Sequence, residues 1–199
     1  MSASSPFLTC LRDASANAHQ DLEAVIDINA STQTLSRYSG LLKQFHAFHS
    51  FYEPVLTSLI GAGRLQYHPA GRRKLPWLEE DLVSLGESPT SLPPRNFFVA
   101  PQSESEAWGC AYVIEGSTLG GRKISALLDT KPWIPGHSRR FFTGYGVGTR
   151  QKWSDFVDAL EDYAAQATEV QKDDAARMAR VTFECLNSFF SMQNPQFHE

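Results

Sequence analysis

Three side chains of different chemistry recur at helical spacing near the start of the chain. Arg12, His19 and Glu23 are separated by seven and four residues, so on an α-helix they lie along one side. A guanidinium can bind an anionic group, an imidazole can bind a metal, and a carboxylate one turn further can fix the imidazole tautomer. The column is therefore either an anion site, a metal ligand and an orienting group in line, or an exposed His19–Glu23 pair beside an unrelated arginine.

A second segment, YVIEGSTLGGRKI, carries three glycines inside a sequence that is helix-like on both sides. Each interior glycine costs a helix about 1 kcal/mol relative to alanine. Gly116 and Gly120 are four residues apart and Gly121 is adjacent, so one side of the helix has almost no side-chain volume. Such a surface suits either a flat partner that lies close to the backbone or a tightly packed neighbouring helix.

Other motifs give less support for chemistry. The pair His46 and His49 lies in an aromatic helix, and no histidine of the chain has the acidic residue three positions earlier that di-iron carboxylate sites use. We therefore predict that these two are half-buried or surface histidines. The chain has no GxSxG, P-loop or HExxH pattern, which leaves hydrolase, nucleotide-binding and zinc-protease functions without support.

Composition limits the class of protein. The chain has 199 residues, of which 42% are hydrophobic, and a net charge of −4. This predicts one domain over residues 1–199, with flexible ends at 1–6 and 193–199, and no nucleic-acid partner. Three cysteines without CxxC spacing predict buried thiols in a reducing compartment: Cys10, Cys110 and Cys185. With no signal peptide and no apolar run of about 20 residues, we predict a cytoplasmic protein that does not bind membranes.

The elements that must position these residues are helices, because apolar residues recur at steps of three and four and no strand alternation occurs. The patterns predict an all-α domain with helices near residues 8–25, 38–59, 77–85, 104–124, 153–164 and 179–190. Ser31 or Thr32 is expected to cap the second helix, and Pro54 to bend or restart it. Ser103 with Glu106 predicts a capping box that opens the glycine helix near residue 104. Loops are expected near 61–76, 86–102 and 129–150.

Three segments together resemble the haem oxygenase family, in particular its bacterial biliverdin-producing branch: LRDASANAHQDLE, AYVIEGSTLGGRKIS and FFTGYG, in this order and at these separations. The similarity runs from about residue 8 to residue 190. The resemblance implies a helical bundle that holds haem b between a proximal helix and a kinked distal helix. It also implies an activity, the oxidative cleavage of haem to biliverdin, carbon monoxide and ferrous iron, with O2 and external electrons.

The resemblance assigns a role to each matching residue. His19 matches the iron ligand, Glu23 the carboxylate that orients it, and Arg12 a basic residue that contacts a haem propionate. Tyr112 falls on a family tyrosine at the propionate edge, and Arg150 or Lys152 could supply a further basic partner.

The distal helix matches the family at the glycines. Gly116, Gly120 and Gly121 match the segment that lies close to the haem, with Gly116 and Gly120 on the oxygen-binding side. Ser117 stands where animal-type members carry an aspartate that anchors a water network. The Ser117 hydroxyl, the Gly116 carbonyl or a more distant acid are therefore the candidates for ordering the distal water.

The family implies partners. The electron donor would be a ferredoxin, a reductase or ascorbate, and a bacteriophytochrome could receive the biliverdin.

Three other functions remain open. One is a haem-binding or storage protein without turnover on the same scaffold. The second is a non-haem member of the same helical superfamily, such as a thiaminase-like or di-iron protein. The third is an all-helical interaction protein without a cofactor.

Overall fold

The helices are those of an all-α protein, as predicted. A computed structural model describes residues 5–60, 67–89 and 97–193, and these contain no strand. The helices are α1 (Pro6–Val25), α2 (Ile28–Ser31), α3 (Leu35–Leu59), α4 (Leu75–Ser84), α5 (Glu104–Asp129), α6 (Arg140–Thr143), α7 (Thr149–Ala164) and α8 (Glu169–Gln193), with 3-10 turns at Pro69–Arg72, Gly136–Ser138 and Gly146–Gly148. None of the described helices is long and apolar enough to cross a membrane. Most of the predicted flexible ends, residues 1–4 and 194–199, lies outside the described residues.

Helix α1 buries one stripe of residues at steps of three and four: Phe7, Leu11, Ser15, Ala18 and Leu22. Its first turn is capped from another helix, because the Glu161 carboxylate of α7 accepts hydrogen bonds from the amides of Phe7 and Leu8 at 3.1 and 3.0 Å and from the Ser5 hydroxyl. The prediction that Cys10 is a buried thiol is wrong, since Cys10 is exposed. It precedes the buried Leu11 by one residue, which on a helix turns it about 100° away from the stripe. Cys110 and Cys185 are buried, as predicted.

Helix α3 supplies much of the aromatic core and corrects the predicted cap. Thr34 caps it by accepting a hydrogen bond from the Arg37 amide at 3.2 Å. The predicted caps, Ser31 and Thr32, instead end the short helix α2. Of the two effects expected of Pro54, a restart does not occur, because the helix continues from Leu35 to Leu59, and a bend stays a prediction.

Helices α1 and α5 both pack on α8, which makes α8 the shared support of the predicted proximal and distal helices. The predicted start of α5 is confirmed, because the Ser103 hydroxyl accepts a hydrogen bond from the Glu106 amide at 3.2 Å. The crossing of α5 and α8 is very close at Gly109, where an added Cβ would lie 2.2 Å from the carbonyl oxygen of Ala175. Only glycine therefore fits at this crossing.

The segment predicted as a loop at 129–150 contains the short helix α6. Asp81 of α4 holds the start of α6, because its carboxylate accepts hydrogen bonds from the amides of Arg140 and Phe141 at 2.7 and 2.8 Å. Helix α6 in turn packs on α5, with the Phe142 carbonyl directed at Gly121. Asp81 thus holds α6 in place, and α6 is the helix that packs against Gly121 of α5.

Candidate functional site

The column on α1 is exposed and lies on one side of the helix. Arg12, His19 and Glu23 are all exposed, next to the buried stripe. The side chain of His19 is 53% exposed, and its ring centroid lies 5.0 Å from that of Phe183 on α8. The Glu23 carboxylate lies 3.7 Å from His19 Nε2, beyond hydrogen-bond distance. The structure therefore brings the predicted ligand and its predicted orienting group close together without a bond between them.

Tyr112 connects the glycine helix to α1. Burial raises the pKa of Tyr112, whereas the Ser15 side chain and the positive charge of Arg12 act in the opposite direction. On its other side, the Tyr112 ring lies 6.3 Å from the Trp153 ring of α7. Arg12 and Tyr112, both predicted to contact propionates, are thus close enough for the charge of Arg12 to act on the phenol.

The three glycines of α5 have different surroundings. A Cβ added at Gly116 would lie 3.7 Å from the Trp153 indole, an ordinary contact, and one added at Gly120 would meet nothing within 4 Å. At Gly121 it would lie 2.7 Å from the Phe142 carbonyl oxygen. Gly120 is thus the open position, Gly116 lies beside an indole, and Gly121 permits close packing of α6. Close packing therefore applies at Gly121, and a flat partner at the open position Gly120 stays a prediction.

The hydroxyl groups beside the glycines bond to their own helix. Ser117 is exposed, and its hydroxyl donates to the Ile114 carbonyl at 2.8 Å, while the Thr118 hydroxyl donates to the Glu115 carbonyl at 2.6 Å. Such bonds favour bending of a helix. Because α5 is one helix from Glu104 to Asp129, the kink stays a prediction. The oxygen of Ser117 keeps its lone pairs for an acceptor role.

Lys152 is exposed, and its ammonium lies 6.0 Å from the centroid of the Tyr145 ring. Arg150, the alternative basic partner, is exposed as well. Both Arg150 and Lys152 therefore stay candidates for the basic partner of a propionate. Lys152 nevertheless adjoins Trp153, which places it at the α7 side of the candidate site.

A buried group of charges lies behind the glycine helix, and the sequence patterns did not reveal it. Glu115 receives hydrogen bonds from Arg72 at 3.0 Å and from Lys74, and all three side chains are at least 95% buried. Glu53 of α3 accepts bonds from the amides of Lys74 and Leu75 at 2.6 and 3.0 Å. One signal was present in the sequence: Glu115 interrupts an apolar run of α5, where a carboxylate needs a partner.

The two histidines of α3 are buried, which corrects the prediction of half-buried or surface positions. His46 is 6% and His49 1% exposed. The His49 ring nitrogen Nδ1 lies 3.0 Å from Glu53 Oε1. Burial lowers the pKa of His49, and this imidazole is therefore neutral and donates to the carboxylate. Within the described ranges, no three His, Cys, Asp or Glu side chains converge to hold a metal ion, so no donor set of the di-iron type is present there.

The chemistry of the side chains at this site fits a haem. An exposed imidazole stands on α1, and open space adjoins Gly120, where a Cβ would meet no neighbour. Phe183 offers an apolar ring beside the imidazole, and Arg12 with Tyr112 offers a guanidinium and a phenol for acidic groups. A flat macrocycle with an iron and two carboxylates needs these groups.

Comparisons with known proteins agree with this assignment. No protein-family model matches the chain. A haem oxygenase of Xanthomonas campestris pv. campestris (strain 8004) is 39% identical over 119 residues, which span 59% of this chain and 64% of that relative. The crystal structures of the NO- and CO-bound haem oxygenase from Neisseria meningitidis have the same fold. There the TM-score is 0.79 at 19% identity, over 94% of this chain and 91% of that one. The resemblance to the haem oxygenase family that the three sequence segments indicated is therefore confirmed, and the fold is the all-α haem oxygenase fold.

Proposed function

We propose that this protein is a haem oxygenase, which binds haem between α1 and α5 and cleaves it to biliverdin, carbon monoxide and ferrous iron. The observation that carries the proposal is the half-exposed His19 imidazole on α1, in a fold whose glycine helix has an open surface at Gly120. The name and 39% identity of the Xanthomonas relative support the same activity. The proposal treats residues 1–199 as one domain.

The residues of α1 would hold the iron and one edge of the ring. Neutral His19 would bind the iron through a ring nitrogen, and a small rotation of Glu23 would bring its carboxylate into hydrogen-bond range of the imidazole from the present 3.7 Å. Arg12 would pair with a propionate, together with the Tyr112 hydroxyl. Lys152 would provide a further positive charge at the α7 side. Bound haem supplies the iron chemistry and is also the substrate that is opened.

The residues of α5 would shape the opposite side. Gly120 would leave room for the ring and for O2, because no neighbouring group lies within 4 Å of the position that a Cβ would take. The Trp153 indole lies beside Gly116 and would therefore limit the haem-binding surface at this end of α5. The Ser117 oxygen and the Gly116 carbonyl are acceptors that can order a water molecule there. Gly121 would contribute indirectly, by letting α6 pack against α5.

The electron donor and the acceptor of the product are proposed as classes of partner. The reaction needs electrons from a ferredoxin, a reductase or ascorbate, and its biliverdin could serve a bacteriophytochrome as chromophore. The cytoplasm is the proposed location, since the reaction needs reducing partners.

The direct test is reconstitution with haem. We expect the wild-type chain to bind one haem and, with ascorbate and O2, to release biliverdin and carbon monoxide. The His19→Ala variant should lose the normal ferric haem spectrum and stop turnover, because the iron loses its ligand. The matched control is His137→Ala, which removes an exposed histidine of a 3-10 turn and should behave like the wild type.

Two results would contradict the proposal in different ways. Full biliverdin formation by His19→Ala, with an unchanged spectrum, would remove His19 as the ligand. A wild-type complex that binds haem tightly but leaves it intact in the presence of reductant and O2 would identify a haem-binding protein without turnover.

A further inference from the structure

Arg72 bonds to two helices of the candidate site at once. Its guanidinium nitrogen Nη1 donates to Glu115 Oε2 on α5 at 3.0 Å and to the main-chain carbonyl of Lys152 on α7 at 2.8 Å. The side chain is only 5% exposed. Its position is fixed further by Asp155, 3.7 Å from Nη2, and by the Tyr67 ring, whose centroid lies 5.0 Å from the guanidinium carbon.

The residues that follow Glu115 and Lys152, the two acceptors of Arg72, contact each other. Gly116 follows Glu115, Trp153 follows Lys152, and the Trp153 indole lies 3.7 Å from the position of a Gly116 Cβ. The indole also lies near two rings, Tyr112 of α5 at 6.3 Å and Phe156 of its own helix at 5.4 Å. The bonds of Arg72 join the two backbone segments that carry the contact between Trp153 and Gly116.

Trp153 borders the edge where the proposed propionate contacts lie. Its ring is 6.3 Å from that of Tyr112, whose pKa responds to the charge of Arg12. A haem that lies on the Gly116 and Gly120 surface with its carboxylates toward Arg12 would meet the indole at its rim. A displaced indole would change the rotation of the ring in its own plane, and with it the carbon bridge that faces the oxygen.

On this basis, we propose that Arg72 is a positioning residue of the haem site: by bonding to Glu115 and to the Lys152 carbonyl it holds Trp153 against Gly116 and so sets the in-plane orientation of the haem. This inference rests on the proposed function for its second half. Its first half, the position of Trp153, concerns the haem-free protein. The guanidinium bonds to Glu115 and to the Lys152 carbonyl through Nη1 while Nη2 lies 3.7 Å from Asp155, whereas a lysine would keep the charge but has only one nitrogen for all three groups.

The Arg72→Lys variant separates charge from geometry. The four tryptophans can be labelled with 5-fluorotryptophan and resolved by fluorine NMR, with the Trp153 signal assigned from Trp153→Phe. In haem-free Arg72→Lys we expect the Trp153 signal to shift or broaden, while that of Trp133, which donates to the Thr32 carbonyl at 3.0 Å, stays in place. The matched control is Arg177→Lys, since Arg177 pairs with Glu106 of the same helix α5 but is 47% exposed.

The second measurement uses the haem complex. We expect the ratio of biliverdin isomers to change by about threefold or more in Arg72→Lys, and the haem Kd to rise by about threefold to tenfold, a range typical of coupled neighbours. In a Trp153→Phe background, the same Arg72 substitution should add little to either quantity, because it acts through the indole. If Arg72→Lys does not fold, Arg72→Met, which leaves the buried pair of Lys74 and Glu115 intact, is subject to the same measurements.

The outcomes are distinct. An unchanged Trp153 signal in folded Arg72→Lys overturns the first half of the inference. A moved signal with an unchanged isomer ratio and Kd overturns the second half. If the wild type does not bind haem, the proposed function fails, and the fluorine spectra still decide whether Arg72 positions Trp153.

Discussion

Adjacent glycines of α5 allow a paired test of which side of this helix packs and which side is open. The substitutions Gly120→Ala and Gly121→Ala add the same methyl group to neighbouring helical positions, and each gains the same helix propensity, up to about 1 kcal/mol. Their surroundings differ, because the new Cβ meets nothing within 4 Å at Gly120 but lies 2.7 Å from the Phe142 carbonyl oxygen at Gly121. An approach of this kind forces the backbone of α6 or α5 to move, at a cost of about 1–3 kcal/mol.

The expected free energies of unfolding follow from these two contributions. Gly120→Ala should be more stable than the wild type by about 0.5–1 kcal/mol. Gly121→Ala should be less stable than Gly120→Ala by about 1–3 kcal/mol, since the propensity gain cancels in the comparison and leaves the steric cost. For a chain of this size, a difference of 1 kcal/mol shifts the melting temperature by about 2–4 °C.

The assay is urea unfolding of the haem-free variants, followed by haem titration. A Gly121→Ala variant as stable as Gly120→Ala would refute the assignment of Gly121 to packing. If the proposed function holds, Gly120→Ala should bind haem about tenfold more weakly despite its greater stability, because the methyl occupies the surface offered to the ring. Higher stability with unchanged haem affinity would separate Gly120 from the site.

Three further predictions concern the supports of the two helices. Burial raises the pKa of Asp81 from 3.8 to about 6, so its stabilising contribution is complete below about pH 4 and is lost as the pH rises through 6. The free energy of unfolding of the wild type should therefore rise relative to that of Asp81→Asn between pH 7 and pH 5. Neutral His49 has the opposite pH dependence, but it is present in both proteins and its effect cancels in the difference. A difference in urea unfolding that does not vary with pH would contradict this prediction. Glu161→Ala should cost about 0.5–2 kcal/mol in the same assay, because the first turn of α1 loses its cap, whereas an unchanged midpoint would show that water replaces the carboxylate. Gly109→Ala should lower the yield of folded protein or the melting temperature far more than Gly120→Ala does, since its Cβ would lie 2.2 Å from the Ala175 carbonyl oxygen.

The helices were predictable because their signals are local. The buried stripe of α1, the Ser103 cap of α5 and the apolar face of α7 follow from steps of three and four residues and from one capping pair. Helix ends were less well predicted where two caps compete. Thr34, and not Ser31 or Thr32, begins α3, because Asp27 starts a separate short helix just before it.

The exposed half of the candidate site was also visible in the sequence. The spacing of Arg12, His19 and Glu23 placed them on one side of α1, and the structure keeps them together and exposed. The different surroundings of the glycines were not predictable, since Gly120 and Gly121 differ only in what lies opposite. That depends on α6, which is held in place by Asp81 about 60 residues away.

The buried charges behind α5 could not be predicted from the spacing of residues in the sequence. Arg72 and Lys74 come from the segment that leads into α4, and their side chains bond to Glu115 of α5. Glu53 of α3 accepts a hydrogen bond from the Lys74 amide, so the cluster is a property of the tertiary structure. The lone acidic residue in the apolar part of α5 predicts that some cation must approach. It does not predict which one.

The placement of these charges next to the glycines has a physical reason. A helix is normally held at one rotation about its axis by side chains that fit between those of its neighbours. Over residues 116–121, α5 has three glycines and therefore little such packing, and a buried ion pair contributes little net stability but strongly disfavours arrangements that leave a charge unpaired. Glu115 precedes Gly116 by one residue, which on a helix is a rotation of about 100°. Any turn of α5 about its axis would thus withdraw the carboxylate from Arg72 and Lys74 and leave buried charges without partners. The cluster thus adds to the close crossing of α5 and α8 at Gly109 in keeping the glycine surface of α5 directed to one side.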